Sequence, residues 1–384
     1  MSAPVRFALV GTGNISGIHA QAISEIPGAQ LTAAYSVAGL EPFCEKWKCA
    51  AAGSIDELVA RKDVDAVCIT TPSGSHGEPA IAALKAGKHV LCEKPMEINV
   101  EKIDAIIAAS KASGTILAAV FQSRFGEGAR TVKRAVDAGR LGRLTIASAY
   151  VKWWRTQAYY DSAGWRGTWE MDGGGALMNQ GVHAIDLLTW FVGVPVEVKA
   201  NIATLAHERI AVEDTAVATL RFANGALGVV EGATSTYPGW NKRIELSGDK
   251  GSIIIEDDAI KFWQFEKEEP GDDAIRAGGS TSAIGGGVAN PMAISTEGHR
   301  LQLEDLCNAI REKRQPAVPG SDARNAVAVI CAIYETAKTG RTVQVKQECG
   351  RDAPSRSSVC DCSPVFIRLL HGPTVSPSAA ASVR

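Results

Sequence analysis

The sequence lacks the features that mark several classes of protein. Its 40 Lys and Arg side chains against 42 Asp and Glu give a formal net charge of −2, so no excess of positive charge favours nucleic acid or an anionic membrane. No apolar run approaches the roughly 20 residues that a membrane-spanning helix needs. The N-terminus enters a strand pattern without the basic and apolar regions of a secretory signal. We therefore expect no nucleic-acid partner, no membrane segment and a cytoplasmic protein.

Cysteine is present, but its spacing indicates neither disulfides nor a metal site. Cys68 and Cys92 lie in apolar strand-like runs, where a small buried thiol is expected. Cys360 and Cys362 stand one residue apart, with no second pair of cysteines or histidines at the spacing of a zinc site. The sequence therefore predicts a reduced protein without a bound metal.

The chain of 384 residues is longer than one hydrophobic core usually supports. Residues 5–120 alternate short apolar runs with helical patterns, which predicts an α/β domain with a doubly wound parallel sheet covered on both faces. Residues 196–264 contain one strand pattern after another, which predicts an α+β domain with a largely antiparallel, open-faced sheet. We expect domains over 1–121 and 122–346 and a disordered tail over 347–384. The five parallel strands are predicted at Val5–Val10, Leu31–Tyr35, Ala66–Thr70, His89–Cys92 and Ile116–Val120.

A glycine-rich loop joins the first predicted strand to the first helix. The first glycine of such a loop allows a tight turn, the second lets the backbone approach a pyrophosphate, and the helix N-terminus offers N–H donors. The third glycine position holds Ser16, which is small enough to keep the helix close to the sheet. The pattern predicts a Rossmann domain that binds a dinucleotide. The loop residues expected to contact it are Gly11, Thr12, Gly13, Asn14 and Ile15.

The end of the second strand lacks the acidic residue that usually binds the ribose hydroxyls of NAD. The chain there runs Ala34-Tyr35-Ser36-Val37, with neither an acid nor an arginine that would hold a 2′-phosphate. The missing acid removes a repulsion against NADP without supplying an attraction. We therefore expect NAD or NADP as cofactor, with NADP slightly favoured and Ser36 in contact with it.

Four segments in order resemble the Gfo/Idh/MocA family of oxidoreductases, over residues 5 to about 346. They are Gly11–His19, Thr71–Ser73 with His76, Ala86–Pro95 and Gly173–Asp186. The resemblance implies an NAD(P)-dependent dehydrogenase or reductase that acts on CH–OH groups. The further cofactor contacts that it implies are Thr71, Pro72, Ser73, His76, Glu93, Lys94 and Gln122.

The resemblance assigns the chemistry to two side chains. Lys94 follows the fourth strand, so we expect it to project into the crevice at the carboxyl ends of the strands and to hold the substrate oxygen. His183 lies in a helix predicted over 176–191 and would be the general acid/base, because imidazole titrates in the useful range. A solvated surface position for Lys94 and simple core packing for His183 are the alternatives.

One position departs from the common family pattern. Asn179 stands four residues before His183, where the family often has an aspartate, and an amide cannot stabilise an imidazolium by charge. We expect Asn179 to orient the imidazole or to bind a sugar hydroxyl. Asp186, three residues after the histidine, would supply the missing carboxylate or serve a structural role.

Aromatic and basic residues are concentrated just before the glycine-rich segment. Four Trp and two Tyr lie within residues 153–169, interleaved with Arg155 and Arg166. Aromatic faces beside planar donors suit a sugar ring, although core packing or a subunit interface would concentrate the same residues. The side chains expected to bind the substrate are Arg124, Trp165, Arg166 and Asn179.

The expected function is hydride transfer between NAD(P) and a carbinol or carbonyl carbon of a sugar, a polyol or a sugar derivative. Two alternatives stay open: glycoside cleavage through transient oxidation, and a non-catalytic dinucleotide sensor. The presence of both Lys94 and His183 argues against the sensor. The open face of the second sheet predicts a homo-oligomer, a dimer or tetramer, as is common in the family that the chain resembles.

Overall fold

The first sheet is formed by short, buried, mostly aliphatic strands in a computed structural model that describes residues 3–278 and 295–346. The predicted tail at 347–384 lies outside the described residues. The strands are β1 (Val5–Val10), β2 (Ala29–Tyr35), β3 (Ala50–Ala51), β4 (Ala66–Ile69), β5 (His89–Cys92) and β6 (Leu117–Ala119). All six are parallel, in the order β3-β2-β1-β4-β5-β6. The order reverses between β1 and β4, which places a crevice at the carboxyl ends of these two strands.

Helices connect these strands. They are α1 (Asn14–Glu25), α2 (Leu40–Trp47), α3 (Ile55–Ala60), α4 (Gly77–Lys85) and α5 (Val100–Ser113). Among them, α3 and α5 begin at a capping side chain. Helix α5 shows why they form where they do. The Asn99 side chain accepts a hydrogen bond from the Lys102 N–H and caps its start, and Gly114 ends it in the left-handed conformation.

The second sheet has eight strands and one covered face. The strands are β7 (Leu144–Lys152), β8 (Pro195–Ala203), β9 (Thr215–Phe222), β10 (Leu227–Ala233), β11 (Arg243–Gly248), β12 (Gly251–Glu256), β13 (Ala259–Phe265) and β14 (Val343–Gln344). Their order is β13-β12-β11-β7-β10-β9-β8-β14, antiparallel throughout except for the pair β7 and β10. Burial alternates strictly along β9, so one face packs inward and the other is open.

The remaining helices cover the second sheet and return to the first. They are α6 (Glu127–Asp137), α7 (Gln157–Asp161), α8 (Val182–Val192), α9 (Asp272–Ala277), α10 (Glu297–Glu312) and α11 (Gly320–Thr339). Helix α11 packs on β8, α8 and α5, while α10 packs on α1 and buries Leu303 and Leu306 in the core of the first sheet. Among the described helices, none combines the length and the apolar character that crossing a membrane requires.

The predicted fold class is confirmed, with two local differences. Strand β3 was not predicted, because a strand of two residues is too short to show any hydrophobic pattern. The single helix predicted over 176–191 is in fact two segments. Residues Ala176–Gly181 form a turn of π-helix, and α8 begins only at Val182.

Candidate active site

The loop between β1 and α1 has the geometry that a dinucleotide phosphate requires. Gly11 has a φ of +104°, and a Cβ there would lie 2.7 Å from the carbonyl oxygen of Thr70, so the position demands glycine. A Cβ on Gly13 would meet no atom within 4 Å, so the space above the loop is open. Gly13 is also the N-cap of α1 and brings no side chain to its first N–H groups, which leaves that helix end suited to an anion.

Ser16 fits the third glycine position. Its side chain is fully buried, and its hydroxyl oxygen lies 2.8 Å from Oγ1 of Thr70. Thr70 in turn donates to the carbonyl oxygen of Val10 over 2.9 Å. The substitution of serine for glycine therefore ties the first turn of α1 to the ends of β1 and β4.

The segment that follows β2 carries no charged side chain. Ser36 Oγ accepts a hydrogen bond from the Ala38 N–H at 3.4 Å, and Thr12 Oγ1 donates to the Ala38 carbonyl at 2.7 Å. Thr12, which belongs to the glycine loop, therefore holds the Ser36 segment against it. Val37, between the two, is 93% exposed.

The loop that follows β4 is tied to the segment that follows β5. The ring of His76 is buried, with Nδ1 at 2.9 Å from the Pro95 carbonyl oxygen and Nε2 at 2.8 Å from the Thr71 carbonyl oxygen. Both ring nitrogens are thus occupied by the protein backbone. His76 therefore lies where it supports the loop, with Thr71 and Pro72 half-buried and Ser73 buried beside it.

Glu93 lies in a buried cluster with two histidines behind the crevice. His19 Nε2 is 2.8 Å and His299 Nε2 is 3.7 Å from the same oxygen, Glu93 Oε1. One atom of each side chain could bind a metal ion, and these three atoms lie within 4.8 Å of one another. The shortest contact among them has the length of a hydrogen bond. Burial opposes ionisation, but the hydrogen bonds from His19 and His299 outweigh it and hold the pKa of Glu93 well below its usual range. Glu93 is thus a fixed negative charge directly before Lys94.

Lys94 is brought to the π-helical turn of the second domain. Its Nζ donates to the carbonyl oxygen of Asn179 over 3.0 Å, and its own backbone N–H donates to Glu93 Oε2 over 3.0 Å. Burial lowers the pKa of Lys94 below its ordinary value; Glu93 and Asp172 oppose that shift, and nearby arginines add to it. The lysine is therefore held at the junction of the two sheets, in contact with the π-helical turn.

His183 lies in the first turn of α8, packed edge-on against Phe121 with ring centroids 5.9 Å apart. It is 9% exposed, and its Nδ1 is a buried atom without a hydrogen-bond partner among the described residues. Burial, and then the positive charges of Lys94 and Lys242, lower the pKa of His183 well below its ordinary value. The imidazole is therefore neutral at neutral pH and able to accept a proton.

Asn179 is held by its own neighbours within the π-helical segment. Its Nδ2 donates to Asp172 Oδ1 over 2.6 Å, and its Oδ1 accepts from Gln180 Nε2 over 3.2 Å. Asp172 is buried, and its other oxygen accepts the Gly167 N–H at 2.9 Å. The amide that departs from the family pattern is thus paired with a carboxylate from the preceding loop.

Glu213 binds the glycine-rich entry to the π-helical turn and accounts for the glycine at position 175. Its carboxylate accepts the N–H groups of Gly175 and Leu177, each at 2.9 Å, and the hydroxyl of Tyr334 at 2.9 Å. A Cβ on Gly175 would overlap the backbone carbonyl of Glu213. Burial raises the pKa of Glu213 to about 7.

Arg124 and Asp186 form a buried ion pair. Arg124 Nε and Nη2 donate to the two oxygens of Asp186 over 2.8 and 2.6 Å, and Nη1 donates to Asp322 over 2.7 Å. Arg124 was predicted to bind substrate, but the structure commits all three of these nitrogens to carboxylates of the protein. Asp186 is the ion-pair partner of Arg124. The geometry therefore fits a structural role for Asp186, the second of the two roles considered from the sequence.

Arg166 and Trp165, the other predicted substrate contacts, stack beside Tyr159. The Arg166 guanidinium carbon lies 4.3 Å from the centre of the Tyr159 ring and 4.5 Å from that of Trp165. Arg166 Nη1 donates to the Tyr159 hydroxyl over 2.7 Å, and Gln180 Nε2 donates to the same hydroxyl over 3.1 Å. The aromatic segment is therefore joined to the Asn179 turn.

These features fit a nicotinamide dinucleotide. Besides the open glycine loop, Oε1 of Gln122, which follows β6, is a buried acceptor without a protein partner among residues 3–278 and 295–346. Gln122, which directly follows Phe121 in the chain, and His183, whose ring packs against that of Phe121, thus each offer one uncommitted polar atom. Asp172, Gln180 and Glu213 were missed by sequence reasoning, and only Asp172, directly before the glycines, had a local signal.

A doubly wound sheet with an open glycine loop, a lysine after β5 and a neutral histidine after the π-turn together define a Rossmann-fold oxidoreductase that depends on a nicotinamide cofactor. One family model, described as an oxidoreductase family with an NAD-binding Rossmann fold, matches residues 5–121. A second, the GFO/IDH/MocA C-terminal domain, matches residues 129–254. The chain belongs to the Gfo/Idh/MocA family, which confirms the resemblance and the predicted class of enzyme.

Similar proteins cover nearly the whole chain. The WlbA dehydrogenase of Bordetella pertussis, solved with NADH and UDP-GlcNAcA, is 34% identical with a TM-score of 0.80 over 90% of this chain and 100% of its own. A myo-inositol 2-dehydrogenase of Thermotoga maritima is 28% identical over 90% of this chain and 100% of its own. A 2,7-anhydro-N-acetylneuraminate hydratase of Mediterraneibacter gnavus is 24% identical over 90% of this chain and 98% of its own.

Proposed function

We propose that the protein transfers a hydride between NAD(P) and a carbinol or carbonyl carbon of a sugar, polyol or sugar derivative. One observation carries the proposal: Lys94 Nζ reaches the Asn179 carbonyl at 3.0 Å and lowers the pKa of the nearby His183 by its charge. Lys94 and the neutral imidazole of His183 thus lie near each other at the carboxyl ends of the parallel strands, where such folds usually bind their ligands. The inositol dehydrogenase and WlbA relatives support the class of substrate.

Each residue of the site has a role that follows from its chemistry. A bound nicotinamide would accept or supply the hydride. Neutral His183 takes the hydroxyl proton during oxidation and returns it during reduction. Lys94 donates to the substrate oxygen and stabilises the negative charge that builds up there. The side chain of Asn179 is fixed by Asp172, and its backbone carbonyl oxygen accepts the hydrogen bond from Lys94 that sets the position of the lysine before substrate binds.

Turnover of the purified protein with added cofactor tests this proposal. Inositols, aldoses and sugar derivatives are assayed with NAD⁺ and with NADP⁺ through the absorbance of the reduced nicotinamide. We expect Lys94→Met and His183→Ala to lower kcat by at least about 100-fold, in the range of lost acid/base or electrostatic catalysis. Lys62→Met, at an exposed position, is the matched control. Turnover of Lys94→Met equal to that of the wild type would refute the assignment.

A second candidate, cleavage through transient oxidation, is favoured by one comparison. The relative from Mediterraneibacter gnavus, similar over 90% of this chain, is named a hydratase and not a dehydrogenase. Such a reaction regenerates its cofactor in each cycle and gives product without net reduction. Product formation with a catalytic amount of cofactor and no lasting absorbance change would identify it.

For the cofactor, we propose NAD or NADP, with NADP slightly favoured. The segment from Ser36 to Gly39 holds no acidic side chain that would repel a 2′-phosphate, and no basic one that would attract it. The relative solved with NADH shows that NAD is used within the family. The ratio of kcat/KM for NAD⁺ and NADP⁺ measures this preference.

The open face of the second sheet supports a homo-oligomer, a dimer or tetramer. Apolar side chains on four strands lie on this face and are about half exposed: Ile146, Val217, Leu227 and Phe262. A patch of this kind on a sheet usually marks an interface. Light scattering of the wild type and of Ile146→Glu/Leu227→Glu tests it, with the double variant expected to be monomeric. The six described cysteines are free, in keeping with a reducing compartment such as the cytoplasm.

A further inference from the structure

We infer that the substrate of this site carries an acid group, a carboxylate or a phosphate, that binds between Arg166 and Lys94. The inference rests on the proposed function, because it places the substrate oxygen at Lys94. It is carried by a chain of hydrogen bonds that links Arg166, Arg155 and Lys94 through Tyr159, Gln180 and the backbone of Asn179. It names a class of ligand that the sequence patterns alone did not indicate.

Arg166 is a guanidinium with stacked faces and little else to bind. Tyr159 and Trp165 lie 4.3 and 4.5 Å from its central carbon, and the Tyr159 hydroxyl takes one of its donors. Its Nε is buried and meets no hydrogen-bond partner in the described part of the chain. Stacking fixes the plane of the guanidinium and leaves its edge for an acceptor. The planar edge of arginine matches the two oxygens of a carboxylate or phosphate.

A short chain of contacts leads from this arginine to the catalytic lysine. Tyr159 accepts from Arg166 and also from Gln180, whose amide donates to Asn179 at 3.2 Å. The carbonyl oxygen of Asn179 receives Lys94 Nζ at 3.0 Å.

Arg155 joins the same chain from the side. Its Nη2 donates to Gln180 Oε1 over 3.0 Å, and its guanidinium carbon lies 5.6 Å from the centre of the Tyr159 ring. The positive charges of Arg166 and Arg155 both lower the pKa of Lys94, as expected for cations that are close in space.

The described part of the protein places no carboxylate directly against Lys94 or Arg166. Within residues 3–278 and 295–346, no carboxylate oxygen lies within 4.0 Å of the nitrogens of Lys94 or Arg166. The nearby carboxylates are Asp172, whose oxygens accept Asn179 and Gly167, and Glu93, which is bound by the two histidines behind the crevice.

Partly buried cations without a facing anion are costly, and a ligand that brings the anion offsets that cost. A neutral sugar would place only hydroxyl groups on the Arg166 edge and leave the charge uncompensated. A sugar with an acid group would bind Arg166 through that group and present a ring hydroxyl to Lys94 and His183. The stacked Trp165 and Tyr159 suit the apolar face of the ring between these two points.

Calorimetric titration in the presence of NADH tests the inference without depending on turnover. Each neutral hexose of the gluco, galacto and manno series is compared with its uronate and with its 6-phosphate. We expect at least one acid to bind about 10- to 100-fold more tightly than its neutral partner, the usual gain from hydrogen bonds to charged groups. The uronate and phosphate arms tell which acid group is preferred.

Variants then locate the acid group. Arg166→Gln keeps a donor for Tyr159 but removes the charge, and we expect it to erase most of the preference for the acid while weakening the binding of neutral hexoses much less. Arg166→Lys should retain part of the preference, and Arg143→Gln, at a side chain that is 79% exposed, should retain all of it. Equal binding of every acid and its neutral partner, or equal losses for both in Arg166→Gln, overturns the inference.

Failure of this inference is distinguishable from failure of the proposed function. Hydride transfer fails as a proposal if no substrate is oxidised or if Lys94→Met turns over normally, whatever the binding preference. The inference of an acid group on the substrate is wrong if acids and neutral sugars bind alike, even in an active dehydrogenase. Turnover therefore tests the first proposal, and calorimetric binding tests the second independently of it.

Discussion

Asn179 Nδ2 donates a hydrogen bond to Asp172 Oδ1 over 2.6 Å and thereby couples the π-helical turn to a buried carboxylate seven residues earlier. Asn179 stands where an aspartate is common in the family, four residues before His183. The negative charge missing at that position is present one hydrogen bond away, at Asp172. Lys94 Nζ donates a hydrogen bond to the backbone carbonyl oxygen of Asn179. Asp172 therefore influences two groups: it binds the Asn179 amide, and its charge raises the pKa of Lys94.

Asp172→Asn is expected to slow catalysis and to change its dependence on pH. The negative charge of Asp172 raises the pKa of Lys94, against the lowering by burial. Without that charge the lysine loses its proton at a lower pH, so the alkaline decline of kcat/KM moves to lower pH. The loss of positioning should lower kcat by about 10- to 100-fold. The pH profile of kcat/KM is the measurement.

A control separates this effect from general damage. Asp161→Asn removes an exposed carboxylate on the neighbouring helix α7, and its alkaline limb should stay in place. An Asp172→Asn variant with an unchanged alkaline limb would show that the charge does not reach Lys94.

Lys94→Met is expected to raise the pKa of His183. Burial is the largest cause of the low pKa of His183 and would remain, but the charge of Lys94, the next cause, would be gone. The pKa should therefore move upward and still lie below the ordinary value for histidine. NMR titration of the ring proton measures it in an inactive protein, with the signal assigned through His183→Gln.

The low pKa of His183 in the wild type has a consequence for activity. In the wild type the imidazole stays neutral, and hence basic, down to a pH well below its ordinary pKa, so oxidation should persist into mildly acidic solution. An exposed-lysine control, Lys62→Met, should leave the titration where it is. A His183 pKa that is identical in wild type and Lys94→Met would place the two side chains too far apart for the proposed chemistry.

Ser36→Asp is expected to turn the cofactor preference toward NAD. The new carboxylate would stand at the end of β2, where it can accept the ribose hydroxyls and repel a 2′-phosphate. We expect kcat/KM with NADP⁺ to fall at least about 10-fold relative to NAD⁺, the size of one unfavourable charge contact. Ser24→Asp, at an exposed position near the far end of α1, is the control. An unchanged ratio in Ser36→Asp would mean that the cofactor does not reach this strand end.

The first domain was the most predictable part of the chain, because most of its elements have a local cause. The bounds predicted for β1 and β5 agree with the structure, since apolar runs and glycine turns act within a few residues. The π-helical turn had no such signal. The partner of its first N–H groups, at Gly175 and Leu177, is Glu213, more than thirty residues away.

Arg124 shows the same limit at the site. Its position between the two domains suggested a substrate contact, and nothing nearby in the sequence reveals its partners. Asp186 lies 62 residues away and Asp322 lies 198 residues away. The sequence therefore predicts that Arg124 pairs with a negative charge. Only the fold determines that this charge is Asp186 and Asp322 and not a substrate.

Arg124→Met is expected to destabilise the protein rather than to weaken substrate binding. It would leave Asp186, which is fully buried, without its bidentate partner, and breaking a buried pair costs about 3–5 kcal/mol. The double variant Arg124→Met/Asp186→Leu should recover much of that loss, since both charges are then gone. Urea unfolding measures the free energies, and Arg134→Met, in an exposed pair with Glu127, should cost less than about 1 kcal/mol. A raised KM with normal stability in Arg124→Met would instead restore the substrate contact predicted from the sequence.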